Sequence, residues 1–231
     1  MLNRLVVSAA ISLTLVVACL RAQPAAQTTS QTESSRKPAA VMSPDNASWL
    51  ERAGRDQEDR PEFVIEVMNL KPGDIVADIG AGSGYFSRRL ARAVAPGGKV
   101  YAVDVTEEML KLVRESAVRD GITNIVPILG SDSDPKLPDG KISKMLLVDV
   151  YHEFQNPTAM LAALKRDLAP KGRVYLIENR LEGETARHVK REHRMSVKDI
   201  TSEWGAAGFR ILERHDDLPT QHFFVLEAIK P

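Results

Sequence analysis

The stretch VADIGAGSG at residues 76–84 narrows the fold more than any other part of this chain. An apolar run over 75–78 has the length of a buried strand, and glycines follow at alternate positions, Gly80, Gly82 and Gly84. Phe86, Leu90 and Val94 then recur every four residues, the spacing of one helix face. A strand, a glycine turn and a helix start together make a binding device. Glycine lets the backbone approach a ligand closely, and the helix start offers unpaired N–H groups. A dinucleotide fingerprint, G-x-G-x-x-G, needs a glycine three residues after Gly82, where Tyr85 stands. The spacing is instead G-x-G-x-G, and Asp78 closes the strand. A carboxylate there repels a pyrophosphate and suits a cationic or amino-bearing ligand.

The residues around this motif read as alternating strands and helices. Short helices are expected at 49–50 and 61–70, with Pro61 at a first helical position. A second strand over 99–103 ends at Asp104, twenty residues past Gly84, where a ribose-binding acid is expected. Thr106 caps the next helix, with Glu107 and Glu108 in its positive first turn and Gly121 at its end. Strands follow over 125–129 and 142–149, then a helix with Asn156 as cap and Pro157 first, stopping before Pro170. A fifth strand covers 174–178, and Ser196 caps a helix carrying Ile200 and Trp204. The last two strands, 209–213 and 222–229, are joined without a helix, so the final one should run antiparallel. The expected class is α/β: a doubly wound, mostly parallel seven-stranded sheet with an antiparallel last strand and helices on both faces.

In such a sheet, ligands sit at the carboxyl ends of the strands, which singles out Asp78, Asp104, the 130–132 turn, Asp149 and Glu178. The D-x-G-x-G-x-G run from Asp78 to Gly84, the acid at Asp104 and the strand order resemble the class I S-adenosylmethionine (SAM)-dependent methyltransferases. That resemblance spans about residues 49–229. It implies SAM as cofactor, with Asp78, Gly80, Gly82 and Gly84 at its methionine end and Asp104 accepting both ribose hydroxyls. It also implies Asp132 near the adenine amino group, though Gly130-Ser131-Asp132 is one residue out of the usual Gly-Asp register, and Asp149 beside the cofactor. The stretch Tyr151-His152-Glu153 after the fourth strand resembles the acceptor-facing segment of these enzymes. Tyr151 and His152 would orient the acceptor or take its proton; alternatively His152 caps the next helix and Tyr151 packs. Residues 179–195 form either a substrate lid or a solvated loop. No metal-ligand spacing occurs, and no metal is expected. A nicotinamide-dependent oxidoreductase is disfavoured by the glycine spacing. A non-catalytic SAM- or nucleotide-binding domain of the cell envelope remains an alternative.

The N-terminus bears on location. Arg4 precedes a mostly apolar run over 5–20, short for a membrane span and suited to an export signal. Val16-Val17-Ala18-Cys19 at its end resembles a bacterial lipobox; the other reading is a plain secretory signal cut near Ala22. The expected organisation is a signal at 1–22, a disordered Gln/Thr/Ser/Ala/Pro tether at 23–48 and a methyltransferase domain at 49–231. The protein would then be exported, periplasmic or anchored through lipidated Cys19, touching the membrane only through that N-terminus. Cys19 is the single cysteine, so no disulfide forms within the chain. Lys plus Arg equal Asp plus Glu at 31 each, so no basic excess argues for nucleic acid, and the expected partner is a small molecule.

Overall fold

A computed structural model describes residues 36–229. The signal sequence with Cys19, and residues 23–35 of the expected tether, lie outside the described residues. Seven strands form one sheet: β1 (Ile75–Ile79), β2 (Lys99–Asp104), β3 (Ile125–Leu129), β4 (Ile142–Val148), β5 (Leu168–Asn179), β6 (Phe209–His215) and β7 (Gln221–Ala228). Their order is β3-β2-β1-β4-β5-β7-β6. β1 to β5 pair in parallel, and β7 runs antiparallel to both β5 and β6. The expected class and the reversed final strand are therefore observed.

Both faces of the central strands are apolar, which is why these strands read as near-continuous hydrophobic runs. Ala77 and Ile79, Met145 and Leu147, and Val174 and Leu176 point into one core. That core is closed by the helices α5 (Pro157–Asp167) and α6 (Val197–Ala206), through Met160, Leu161, Leu164, Ile200 and Trp204. Val76, Leu146, Tyr175 and Ile177 point the other way, where α2 (Pro61–Met68) and α3 (Tyr85–Ala93) supply Val64, Met68, Phe86 and Leu90. The helix α4 (Glu107–Arg119) sets Val113 against Ala81 and Ala102.

Three of the boundaries that differ from expectation bear on the site, each for a local reason. β4 stops at Val148 because Asp149 takes φ +50, the left-handed region, and turns the chain out of the sheet. β5 begins at Leu168 rather than 174, since the Pro170-Lys171-Gly172 run is absorbed as an irregularity opposite Ile142 and Lys144. The end of the expected tether, 36–48, lies against the domain. Arg36 donates to the carbonyls of Tyr151 and His152, the Ala39 N–H donates to the His152 carbonyl, and Ala39 is buried. A 3-10 turn, Pro44–Glu51, then takes the place of the short helix expected at 49–50, before a short helix α1 (Arg55–Asp59). Composition misses this because the anchoring comes from one arginine, backbone groups and two small residues, Ala39 and Ala47, not from large apolar side chains.

Candidate functional site

Strand order reverses between β1 and β4, and a cavity of about 1050 Å³ opens at the carboxyl ends of the strands there. Five parts of its wall stand out: the glycine turn after β1, the acid ending β2, the Asp149–Gln155 corner after β4, and two covering segments. One cover is 40–50, with Trp49 and Leu50; the other is the segment after β5, with Ala186, His188 and His193. Trp49 meets the His188 ring edge-on at 5.2 Å, so the two covers touch. Of the two readings of 179–195, the structure thus places this segment over the cavity rather than away in solvent.

The glycine turn fits only glycine at two positions. Gly80 has φ +73, and a Cβ there would stand 2.3 Å from Val150 Cγ2. Gly82 has φ +53, and a Cβ there would stand 2.6 Å from Leu50 Cδ1. An added Cβ at Gly82 would therefore meet the 44–51 turn, while Gly82 itself still lines the cavity. Gly82 also donates its N–H to Asp104 Oδ2 at 2.9 Å, while Thr106 donates through N–H and Oγ1 to Asp104 Oδ1, both at 3.1 Å. Each oxygen keeps further lone-pair capacity, and Asp104 lines the cavity.

Acids dominate the floor. Asp78 is buried and accepts from Ser87 Oγ at 2.6 Å; burial lifts its carboxyl to about 6, partly opposed by Ser87 and by Arg55. Asp149 accepts from Gln221 Nε2 at 2.7 Å, while its buried Oδ1 has no hydrogen-bond partner. Burial first, and then the charges of Glu178 and Asp59, raise Asp149 to about 8. Asp59, from α1, is itself buried and bridged to Arg55 at 2.7 Å.

At the corner after β4, Glu178 Oε1 accepts the N–H groups of Val150 at 3.1 Å and Tyr151 at 2.6 Å. Its other oxygen meets His152 Nδ1 at 2.6 Å. Burial pulls His152 down, yet Glu178 overrides it and the net shift is upward. His152 Nε2 faces His193 Nδ1 at 3.1 Å, with Glu153 Oε1 4.0 Å from the same nitrogen. Burial raises Glu153 to about 7. A buried carboxylate thus fixes both the turn and the histidine, and the other imidazole nitrogen faces His193 at the cavity wall.

The structure thus gathers Asp78, Gly80, Gly82, Asp104, Asp132, Asp149 and His152 around one space. Asp132 sits exposed at the rim. Gly84 does not line the cavity: it starts α3 at φ +83 with its Cα facing Val113. Tyr151 does not line it either. Its ring is fully buried against Phe154 and Trp204, and its hydroxyl donates to Glu203. A 3-10 turn from Tyr151 to Glu153 rotates the two neighbours apart, so His152 faces the cavity and Tyr151 the core. Sequence reasoning missed His193, 41 residues from its partner, and Asp59 with the 40–50 cover, which carries no motif.

A family profile described as "Methyltransferase domain" matches residues 70–216. Among curated proteins, the chain is 39% identical over 116 residues to the protein-L-isoaspartate O-methyltransferase of Aeropyrum pernix, covering 49% of this chain and 42% of that one. It is 28% identical over 116 residues to the ubiquinone/menaquinone biosynthesis C-methyltransferase UbiE of Cupriavidus metallidurans, covering 50% and 47%. The chain thus spans about half the length of these curated relatives. Among solved structures, a SAM-dependent methyltransferase from Aquifex aeolicus superposes with a TM-score of 0.76 at 26% identity, over 80% of this chain and 98% of that one. With the profile covering well over half of its residues, on a sheet and cavity of the same design, the chain belongs to the methyltransferase-domain family of SAM-dependent enzymes.

Proposed function

We propose that the chain transfers the methyl group of SAM to a small-molecule acceptor bound at the His152 end of the cavity. The observation that carries this is the unpartnered, buried Asp149 Oδ1, set between the acidic floor and the His152–Glu178 pair. The cofactor fits the residues present. Its sulfonium and ammonium suit a floor of Asp78 and Asp149, buried carboxyls that a bound cation would help to ionise, and its ribose diol suits the remaining acceptor capacity of Asp104. When bound, it supplies an electrophilic methyl carbon. The chain's own part is to align the acceptor, exclude water with the 40–50 and 186–193 covers, and set the His152–His193 pair at the acceptor's end of the cavity. The relatives' names describe transfer to oxygen and to carbon, and the polar groups at the His152 end favour an acceptor with an acidic hydroxyl or enol.

His152→Ala tests the acceptor end: turnover should fall roughly a hundredfold while SAM binding stays intact. Unchanged turnover per folded molecule would reduce His152 to a scaffold residue. The acceptor itself is sought by incubating the protein with labelled SAM and envelope extracts. We further propose that the protein is exported and lipidated at Cys19, as the Val16–Cys19 pattern suggests. Cys19→Ser should then accumulate as uncleaved precursor, and a mature start near Gln23 without lipid would contradict the assignment.

A further inference from the structure

His152 Nε2, His193 Nδ1 and a Glu153 carboxylate oxygen all lie within 4.8 Å of one another at the cavity wall. We propose that these three side chains hold one divalent transition-metal ion of the zinc class; only its consequence for the acceptor rests on the methyltransferase reading above.

The geometry needs little adjustment. Zinc binds imidazole nitrogen at about 2.05 Å, so two nitrogens 3.1 Å apart subtend roughly 100° at a shared ion. That lies between octahedral and tetrahedral angles at the nitrogens' present separation. Glu153 Oε1, at 4.0 Å from His152 Nε2, must close by roughly 0.6–0.9 Å for similar angles, a side-chain adjustment. Glu178 supplies an independent observation. It is fully buried and holds His152 Nδ1 at 2.6 Å, the carboxylate–histidine arrangement that fixes a metal-binding imidazole with its free lone pair outward. In the absence of an ion, one N–H lies between the two imidazoles. With the ion present, His193 carries its proton on Nε2 instead, so the two imidazoles need no net proton change, and Glu153 binds as the carboxylate. Two imidazoles and one carboxylate select zinc, cobalt, nickel or iron over magnesium and calcium. Such a donor set also leaves coordination positions open toward the cavity.

The consequence concerns the acceptor. A hydroxyl, enol or thiol that reaches an open position is acidified by the ion and gives its proton to water, so no side-chain base is needed. His152 then acts by holding the ion, and the acceptor class is a molecule with a metal-binding heteroatom beside the atom to be methylated.

The full-length protein, stripped with chelator, is titrated with Co(II) and followed by visible absorption and calorimetry, with SAM titrated separately. One Co(II) per chain is expected. Binding should be lost in His193→Ala, which alters a part-exposed loop residue, and weakened about 10–100-fold in Glu178→Gln. No uptake, or uptake unchanged in both His193→Ala and Glu153→Gln, overturns the site. SAM binding without Co(II) uptake refutes the metal alone. Co(II) uptake without SAM binding refutes the methyltransferase reading and leaves the metal site standing.

Discussion

Asp78 should make the apo protein less stable as pH rises, and the effect is large enough to measure. Its carboxyl is lifted from an ordinary 3.8 to about 6, chiefly by burial. Between those values the folded state holds more protons on this group than the unfolded state, so unfolding free energy falls with increasing pH. Stability from the protonated form is complete below about pH 3.8 and gone above about pH 6. The two units correspond to about 3 kcal/mol. Asp78→Asn removes the titration and keeps an acceptor for Ser87 Oγ. The assay is urea unfolding of both proteins from pH 4 to pH 8. The variant's stability should gain about 2.5 kcal/mol relative to wild type across that range, whatever the constant offset from the new amide. The same carboxylate should strengthen SAM binding once ionised, so wild-type affinity should drop on acidifying below pH 6 while that of Asp78→Asn stays flat and weak. Parallel stability curves for the two proteins would refute the argument, because they would mean that Asp78 is not desolvated.

Two further substitutions separate binding from scaffolding. Asp104→Ala should weaken SAM binding roughly ten- to a hundredfold by calorimetry, the loss of a charge-assisted hydrogen bond, with some loss of stability as the Gly82 and Thr106 N–H groups lose their acceptor. Unchanged affinity would remove Asp104 from the site. Tyr151→Phe should cost about 1.5–3 kcal/mol of stability, the hydrogen bond to Glu203, and leave turnover per folded molecule unchanged; a large drop in turnover would restore Tyr151 to the reacting centre.

The order in which sequence reasoning succeeded and failed has a physical basis. Periodicity and turn chemistry are local, so the strand–glycine–helix unit, the caps at Asn156 and Ser196 and the two-faced apolar strands were legible. The acids ending β1 and β2 were legible because a parallel sheet puts strand ends together. The side-chain directions in Tyr151-His152-Glu153 were not, since they depend on the left-handed Asp149 and on Glu178 pulling in two N–H groups. Nothing in 36–60 announces that it covers the cavity: Ala39 and Leu50 meet residues over thirty positions away, and Asp59 lines the cavity while bridged to Arg55. His193 reaches His152 because Leu181 donates its N–H to the Met195 carbonyl and Met195 donates its N–H to the Asn179 carbonyl, which folds the 179–195 segment back.

Calorimetric titration of the full-length protein with SAM and with its demethylated product tests the central claim most directly. One site per chain is expected for both ligands, with affinity lost in Gly80→Val and reduced in Asp104→Ala. Absence of heat for either ligand in a protein shown to be folded would contradict the assignment of this cavity.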